Sequence, residues 1–358
     1  MRWIGCDVHQ EYVEVAELDE SGGIRRCRVP LPDGLGELQD RVTSATVVLE
    51  ASGSAFALHD ALVGHAARVI VANPAQTRGA GASHVKTDAR DSEILARLGA
   101  SELVTSVWTP PAEIRALRSL VECRLDVVCL RTAIRNRLWA VCYQHLRHHT
   151  GKAADAVGYL ESQVWPLPHT ESVMNSWLRL LQAVEGERKV LTKAVEEWAK
   201  ASDEARLLQS IPGVGPLLSG VILSQIGDIG RFGTPGKLCA YAGLVPRVWR
   251  SGKTHIQGSI GRTGRSVLRS ALWQATLMGV RQPGPLKRRF ERLAASRPRP
   301  VARIACARQM AVLIWHILTR RQPYRIMSAT EIQSVTRPIT LLLAMAGSSP
   351  MFSVLPLL

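Results

Sequence analysis

The sequence predicts a chain of mixed α/β and α class, with an α/β amino-terminal domain and a mainly helical remainder. Apolar segments near the amino terminus are short and are separated by polar breaks, which is typical of strands. From residue 112 onward, apolar residues recur at helical spacing instead. The chain has 358 residues and is 46% hydrophobic. Single cores rarely exceed about 250 residues, so we expect more than one folded domain.

The predicted elements of the amino-terminal domain have a distinctive order. They are three strands of an antiparallel meander at 2–8, 12–18 and 23–31, a helix at 34–42, a strand at 46–51, a helix at 55–64 and a strand at 68–72. A further helical run follows and reaches Ala100. The order βββαβαβα is that of a ribonuclease H-like, or RuvC-like, fold. In that fold the first and fourth strands are neighbours, so residues at their ends meet.

Four acidic residues occupy positions where an ionised carboxylate is costly unless a partner stabilises it. Asp7 lies at the end of the first predicted strand and Glu50 at the end of the fourth, while Asp88 and Asp91 share one face of a helix. Carboxylates brought together repel one another and lose hydration, and a hard divalent cation removes both costs. We therefore predict that these four acids bind Mg²⁺ or Mn²⁺. The alternative is that each is an ordinary surface acid.

The charge of the chain indicates a nucleic-acid partner. Lysine and arginine number 45 against 30 acids, which gives a net charge of +15 and an excess in the second half. The seven cysteines are scattered along the chain, which predicts reduced thiols. We recognise no signal peptide, and the apolar run at 339–346 is far too short to span a bilayer. We therefore expect no membrane partner and a cytoplasmic location.

The second half predicts paired helices followed by a basic domain. Residues 112–149 predict a long basic helix, and a second helical segment at about 170–205 could pair with it as an antiparallel pair or coiled coil. The predicted organisation is a ribonuclease H-like domain at 1–110, a helical or coiled-coil region at 111–206, a mainly helical basic domain at 207–326 and a tail at 327–358 to which we assign no role.

Two segments of the basic domain are candidates for phosphate binding. Residues 211–215, Ile-Pro-Gly-Val-Gly, resemble a helix-hairpin-helix turn in which Gly213 and Gly215 would let backbone amides approach a phosphate. A plain connection between helices is the alternative. Within residues 237–270, glycines punctuate a predicted loop dense in cations, ahead of a helix at 266–279. The candidate phosphate-binding cations are Arg250, Lys253, Arg262, Arg265 and Arg269.

Two series of motifs are similar to those of the DEDD transposases of the insertion-sequence one-ten family, also called bridge recombinases. The amino-terminal series is Gly5-Cys6-Asp7-Val8, Leu49-Glu50-Ala51-Ser52-Gly53, Val71-Ala72-Asn73-Pro74 and Lys86-Thr87-Asp88-Ala89-Arg90-Asp91. The carboxyl-terminal series is Ile211 to Gly215, Arg231-Phe232, Tyr241 to Pro246, Ser251-Gly252 and Gly264 to Leu272. One departure is visible, because the family often carries a lysine shortly after the first aspartate, where this chain has His9-Gln10.

The resemblance implies a catalytic machinery and its partners. The four acids would bind the metal, and Ser251 would be the nucleophile of a transposase domain at 207–326. A structured guide (bridge) RNA would pair with donor and target DNA. The protein would be a homodimer or homotetramer in which acids and serine meet across protomers. Without the resemblance Ser251 would not stand out, since a Ser-Gly pair usually marks a turn. Arg250 and Lys253 beside it would favour an alkoxide.

We therefore expect a transposase or recombinase that cleaves and rejoins DNA strands through a phosphoserine at Ser251. One alternative is a RuvC-like, metal-dependent nuclease or resolvase that uses the same acids with water as the nucleophile, for which Ser251 would be dispensable. Another is a non-catalytic architectural or RNA-binding protein, for which replacing Asp7 by asparagine would change no activity.

Overall fold

The computed structural model describes residues 2–74, 88–149, 156–251, 254–260 and 263–325, and describes the backbone alone at 156, 247–251 and 254–259. The chain forms two compact units, Met1–Pro111 and Ala112–Leu358. The predicted tail at 327–358 lies outside the described residues, as do Lys86, Gly252, Lys253 and Arg262. The domain boundaries expected from the sequence stay predictions.

The first unit is built on a five-stranded sheet. Its strands are β1 Trp3–Val8, β2 Tyr12–Leu18, β3 Ile24–Pro30, β4 Thr46–Glu50 and β5 Arg68–Ala72. Their order is β3-β2-β1-β4-β5, antiparallel on the β3 side of β1 and parallel on the β4 side. The five predicted strands are confirmed to within a residue at each end. The mixed α/β class is confirmed, and the sheet is consistent with a ribonuclease H-like domain.

Three helices cover the two faces of this sheet: α1 Leu35–Arg41, α2 Ala55–Leu62 and α3 Asp88–Ala100. Side chains alternate between the faces of a strand. Ile4 and Cys6 of β1 therefore pack into the core that includes Leu38 of α1 and Leu58 of α2. The intervening positions of β1 face the other side, where α3 packs.

Gly5 allows α3 to lie unusually close to β1. A Cβ atom at this position would overlap the backbone oxygen of Ser92 and the backbone nitrogen of Ala96, both in α3. Backbone atoms cannot move aside as a flexible side chain can. Glycine at position 5 therefore sets the distance between β1, which ends near Asp7, and α3, which begins with Asp88.

Replacing Gly5 by alanine should destabilise the protein by about 1–3 kcal/mol, because overpacking forces backbone shifts. Denaturant unfolding of the full chain measures this change. Gly36→Ala is the matched control, since its Cβ would meet nothing within 4 Å and alanine favours the helix at that place. Equal stability of Gly5→Ala and Gly36→Ala would contradict the close approach.

The second unit is mainly helical and contains one described two-stranded sheet. Its helices are α4 Ala112–Gln144, α5 Ala156–Glu161, α6 Pro168–Ala201, α7 Asp203–Gln209, α8 Pro216–Ile226, α9 Pro235–Tyr241, α10 Ser266–Gly279, α11 Pro285–Ala294 and α12 Arg299–Arg320. A 3₁₀ turn covers Ile229–Arg231. The sheet is an antiparallel pair, β6 Pro246–Ser251 and β7 Thr254–Ile260.

The long helices α4 and α6 pack side by side. Leu138 of α4 and Met174 of α6 are fully buried in one cluster, so the two helical segments contact each other. The predicted helix at 112–149 ends earlier, at Gln144. The segment predicted at 170–205 begins at Pro168 and breaks at Ser202, whose hydroxyl accepts a hydrogen bond from the Ala205 amide, 3.2 Å, and caps α7.

A second core joins α4 and α6 to the helices that follow them. Val121 of α4 and Val195 of α6 are buried with residues of α7 to α10 and α12. Arg118 of α4 is also buried, and its guanidinium donates hydrogen bonds to the backbone oxygens of Ser224, 2.7 Å, and Gln225, 3.2 Å. These carbonyls belong to the last turn of α8, where a helix leaves acceptors unpaired. Arg118 therefore fixes the end of α8 against α4.

The prediction of a loop within residues 237–270, ahead of the helix at 266–279, is wrong in part. The segment contains the end of α9 and the β6–β7 hairpin, in which Trp249 pairs with Ile256 and Ser251 with Thr254. Glycines and arginines in this segment suggested a loop, but Val248, Trp249 and Ile256 favour strands. The predicted helix at 266–279 is confirmed as α10, Ser266–Gly279.

Among the described residues, one helix has the length and composition of a membrane span. This is α12, and 44% of its most apolar stretch is buried inside the protein. Buried core helices pass the same test of composition, and Met310 and Ile314 of α12 belong to the core of the second unit.

Candidate functional site

Asp7, His9 and Asp88 converge at one end of the sheet. The His9 Nε2 atom lies 3.1 Å from Asp7 Oδ2 and 3.4 Å from Asp88 Oδ2. One candidate ligand atom from each of the three residues lies within 4.8 Å of the other two. The convergence follows from the fold, because Asp7 is the last residue but one of β1, His9 begins the turn into β2, and Asp88 starts the helix that packs close to β1 at Gly5.

The β1–β2 hairpin also orients Asp88. The backbone amide of His9 donates to the carbonyl of Tyr12, 2.9 Å, which places their rings 4.6 Å apart. The Tyr12 hydroxyl then donates to Asp88 Oδ2, 3.0 Å, and this bond raises the pKa of Tyr12. The guanidinium of Arg28 covers the Tyr12 ring at 4.1 Å and bonds to Glu14. The carboxylate of Asp88 therefore has a supported orientation.

The pKa of Asp7 indicates whether the group of Asp7, His9 and Asp88 suits a cation. Burial raises the pKa of Asp7, His9 lowers it, and the negative charges of Asp91, Asp88 and Glu50 raise it further. The Asp7 side chain is only 16% exposed, so water screens this repulsion incompletely. The negative charges of the other three predicted acids thus all act at Asp7. Carboxylate oxygens are the ligands that divalent cations prefer. The residues fit a divalent metal ion.

Glu50 and Asp91 contribute differently from Asp7 and Asp88. Cys6 pairs with Leu49 in the parallel register of β1 and β4, so Asp7 and Glu50 follow the paired residues at the same edge. Asp91 lies in the first turn of α3 with Asp88. The compact three-residue group includes neither Glu50 nor Asp91. Both act on Asp7 through their charge.

His9 is the member of the group that the sequence reasoning missed. It stood out only as a departure from the lysine expected after the first aspartate. A usable signal was its place two residues after Asp7, since an imidazole is a common metal ligand and a turn can fold it back onto a neighbouring acid.

The structure gives Gly213 a packing role. Its φ is +94°, a left-handed conformation that favours glycine, and its Cβ position is occupied by backbone atoms of Ala275 and Gly279 in α10. Gly215 caps the start of α8 and has open space around its Cβ position. Both glycines line a shallow cavity with neighbouring residues 209–218. Phosphate binding at either glycine stays a prediction.

Arg265 and Arg269 are held in place by the protein. Arg265 Nε donates to the Tyr241 hydroxyl, 3.0 Å, which in turn donates to the carbonyl of Gln225, 3.2 Å. Burial would raise the pKa of Tyr241, but the cations Arg265 and Arg231 outweigh burial and hold that pKa below its usual value. Arg269 Nη1 donates to the Thr263 carbonyl, 3.3 Å.

Ser251 is the last residue of β6, and the structure describes its backbone alone. The side chain of Arg250 and all of Lys253 and Arg262 likewise lie outside the described part of the chain. The roles predicted for these four residues therefore stay predictions.

Two family models match the chain. Residues 4–146 match the DEDD model of the IS110 family, described as a transposase, and residues 205–291 match the transposase IS116/IS110/IS902 family. The first match contains the Asp7, His9 and Asp88 group, and the second contains Ser251. Together the two matched regions cover more than half of the chain.

Curated proteins similar to this chain include transposases. The chain is similar to the transposase for insertion sequence element IS1111A of Coxiella burnetii, 27% identical over 90% of this chain and 91% of that protein. It is also similar to a probable family 20 transposase of Pseudomonas aeruginosa, 25% identical over 90% and 98%. A third similar protein is the pilin gene-inverting protein of Moraxella bovis, 25% identical over 78% and 81%. With motifs, fold and both matched regions in agreement, the chain belongs to the IS110 family of transposases.

Proposed function

We propose that this transposase cleaves and rejoins DNA strands through a phosphoserine at Ser251, assisted by Mg²⁺ or Mn²⁺ bound by Asp7, Glu50, Asp88 and Asp91. The observation that carries the proposal is the convergence of Asp7, His9 and Asp88 within 4.8 Å at a partly buried end of the sheet. Such a group is costly without a cation and well suited to one.

The residues of the acid site have distinct parts in this proposal. A divalent cation bound there would supply positive charge that favours phosphoryl transfer. Asp7, Glu50, Asp88 and Asp91 would hold it, and the negative charges of the other three acids already act on Asp7. Tyr12 keeps Asp88 oriented through its hydrogen bond. His9 Nε2 lies within reach of both carboxylates and is a further ligand.

The serine step conserves the number of phosphate ester bonds. The Oγ atom of Ser251 attacks phosphorus, and the new Oγ–P bond forms as the P–O bond to the departing DNA oxygen breaks. The serine loses its proton and the departing oxygen gains one. A DNA hydroxyl later reverses these steps on the phosphoserine. Rejoining therefore needs no external energy source, whereas attack by water would only cut the strand.

The proposal extends to partners. Donor and target DNA are the substrates, and the net charge of +15 supports binding of their phosphates. A structured bridge RNA supplies sequence choice by base pairing. The protein acts as a homodimer or homotetramer, in the bacterial cytoplasm at the nucleoid, with acids of one copy serving Ser251 of another.

The direct test is a search for the covalent adduct. The full chain is incubated with Mg²⁺ or Mn²⁺, labelled nicked or junction DNA, and RNA transcribed from the flanks of the gene. We expect a protein–DNA adduct that protease removes and that mass spectrometry locates at Ser251. Cut strands without an adduct would overturn the serine step and favour the RuvC-like nuclease that uses water.

Replacing His9 by glutamine should weaken Mn²⁺ binding by about tenfold, the lower end of the effect seen when groups around a metal are removed. Titration calorimetry or the paramagnetic resonance spectrum of Mn²⁺ measures this without reliance on activity. His65→Gln is the control, since His65 is exposed in the same unit. Unchanged affinity in His9→Gln would limit His9 to packing against Tyr12.

A further inference from the structure

We propose that the corner between α11 and α12 is a separate DNA-binding surface that holds the phosphate backbone of duplex DNA without reading its sequence. This surface, called the basic corner here, consists of Arg288, Arg292, Arg297, Arg299 and Arg303. It is independent of the metal and serine chemistry proposed above. Four of its five arginines lie beyond residue 291, where the second family match ends.

The basic corner lies in the most cationic stretch of the chain. Residues 281–308 contain nine lysines and arginines and one acid, Glu291, which makes eight of the fifteen net positive charges. Arg288 and Arg292 are one helical turn apart on α11, and Arg299 and Arg303 are one turn apart on α12. Arg297 lies in the connection between the two helices. All but the half-buried Arg303 are exposed.

Two arginines of the basic corner lie at helix amino termini, where positive charge is unfavourable. A helix amino terminus carries partial positive charge and favours anions. Yet neither α11 nor α12 has an acid in its first turn, whereas Arg288 lies in the first turn of α11 and Arg299 begins α12. Neither helix has a side-chain cap. A bound phosphate would be favoured by the helix termini and by the arginines together.

Two arginines of α11 and α12 have a buried donor without a hydrogen-bond acceptor in the described part of the chain. Among the described residues, the Nε atoms of Arg289 and Arg303 are buried and have no hydrogen-bond partner. The guanidinium of Arg303 lies 6.0 Å from the ring centres of Trp273 and Phe290, so aromatic faces hold it. Buried donors without acceptors are rare in native proteins. Phosphate oxygens accept from guanidinium groups, so the exposed arginines of the basic corner suit them.

The surface chemistry favours a duplex over unpaired RNA. Recognition of single strands relies on aromatic side chains on which bases stack. The rings of Trp273 and Phe290 lie near Arg303, and both residues are half-buried. Arginines without exposed stacking platforms are typical of contacts to phosphates, which position a protein but carry no sequence information.

The test compares two full-length variants with equal loss of charge. The first carries Arg288→Gln, Arg292→Gln, Arg297→Gln and Arg299→Gln. The control carries Arg179→Gln, Lys189→Gln, Lys193→Gln and Lys200→Gln on exposed positions of α6. Fluorescence anisotropy measures binding to a duplex of arbitrary sequence over a range of salt concentrations. We expect the first variant to lose tenfold or more in affinity at about 0.15 M salt and the slope of log affinity against log salt to fall by about 2 to 4.

Three outcomes would overturn the basic corner. They are an equal loss in the control, an unchanged salt slope, and a larger loss on the structured RNA transcript than on duplex DNA. Circular dichroism checks folding, and the double variant Arg288→Gln with Arg292→Gln should show a smaller loss of the same kind. Mn²⁺ binding by the first variant should equal that of the natural protein, so failure here is distinguishable from failure of the metal proposal.

Discussion

Replacing Asp7 by asparagine should abolish strand cleavage while making the metal-free protein more stable. Loss of a metal ligand removes several kcal/mol of transition-state stabilisation, so cleavage should fall by about a thousandfold or more. Stability should move the other way, because burial and three neighbouring acids raise the pKa of Asp7 in the folded protein. The ionised carboxylate is therefore less favourable folded than unfolded at neutral pH.

The pH dependence has a definite sign. A raised folded pKa means that Asp7 favours the folded state only when protonated, and this contribution is lost as pH rises through the folded pKa. The gap in Tm between Asp7→Asn and the natural protein should therefore be largest at neutral pH and close as pH falls toward about 4, the unfolded pKa. Thermal unfolding in a metal chelator measures this gap.

Metal addition supplies the complementary measurement for Asp7. Mn²⁺ should raise the Tm of the natural protein and have little effect on Asp7→Asn, since a ligand stabilises the state that binds it. Asp40→Asn, at an exposed position of α1, is the control and should keep both cleavage and the metal response. Full cleavage by Asp7→Asn would overturn the metal role of Asp7, and a lack of cleavage in both proteins would favour the non-catalytic alternative.

Replacing Ser251 by alanine should eliminate the covalent adduct and strand rejoining altogether. No other group can take over the Oγ–P bond, so the expected residual rate is that of slow hydrolysis alone. Metal binding should be unchanged, because Ser251 and the acids belong to different units of the chain. Electrophoresis under denaturing conditions, with and without protease, measures the adduct, and a joined-strand product measures transfer.

The Ser251 prediction has a close control. Ser270→Ala removes an exposed hydroxyl from α10 in the same unit and should leave adduct and rejoining intact. An adduct that persists in Ser251→Ala would identify a different nucleophile. Normal cleavage without any adduct in either protein would assign the attack to water.

The strands could be predicted because each carries its own local signal. In β1, Ile4 and Cys6 are buried in one core, and the positions between them face α3. The hairpin β6–β7 was missed because glycines and arginines lie within and beside its strands. They hide the preference of Trp249 and Ile256 for strands. The helices α11 and α12 were not predicted as separate elements, and Pro285 and Pro300 lie in their first turns.

The site was predictable only in part, for a different reason. Asp7 and Glu50 stood out because an acid at the end of an apolar strand is unusual. The hydrogen bond from Tyr12 to Asp88 joins residues 76 positions apart, and no local pattern announces it. His9 joined the group because a tight turn folds it back toward Asp7, a geometry that spacing alone does not specify.

The buried Arg118 has a consequence for biosynthesis. Its acceptor on Ser224 lies 106 positions later in the chain, so α4 leaves the ribosome long before the carbonyls that satisfy its arginine exist. The nascent polypeptide must keep this side chain hydrated until α8 has emerged. Messages cut short before codon 224 should therefore yield products that proteases remove rapidly, which limits accumulation of partial enzyme able to grip DNA without rejoining it.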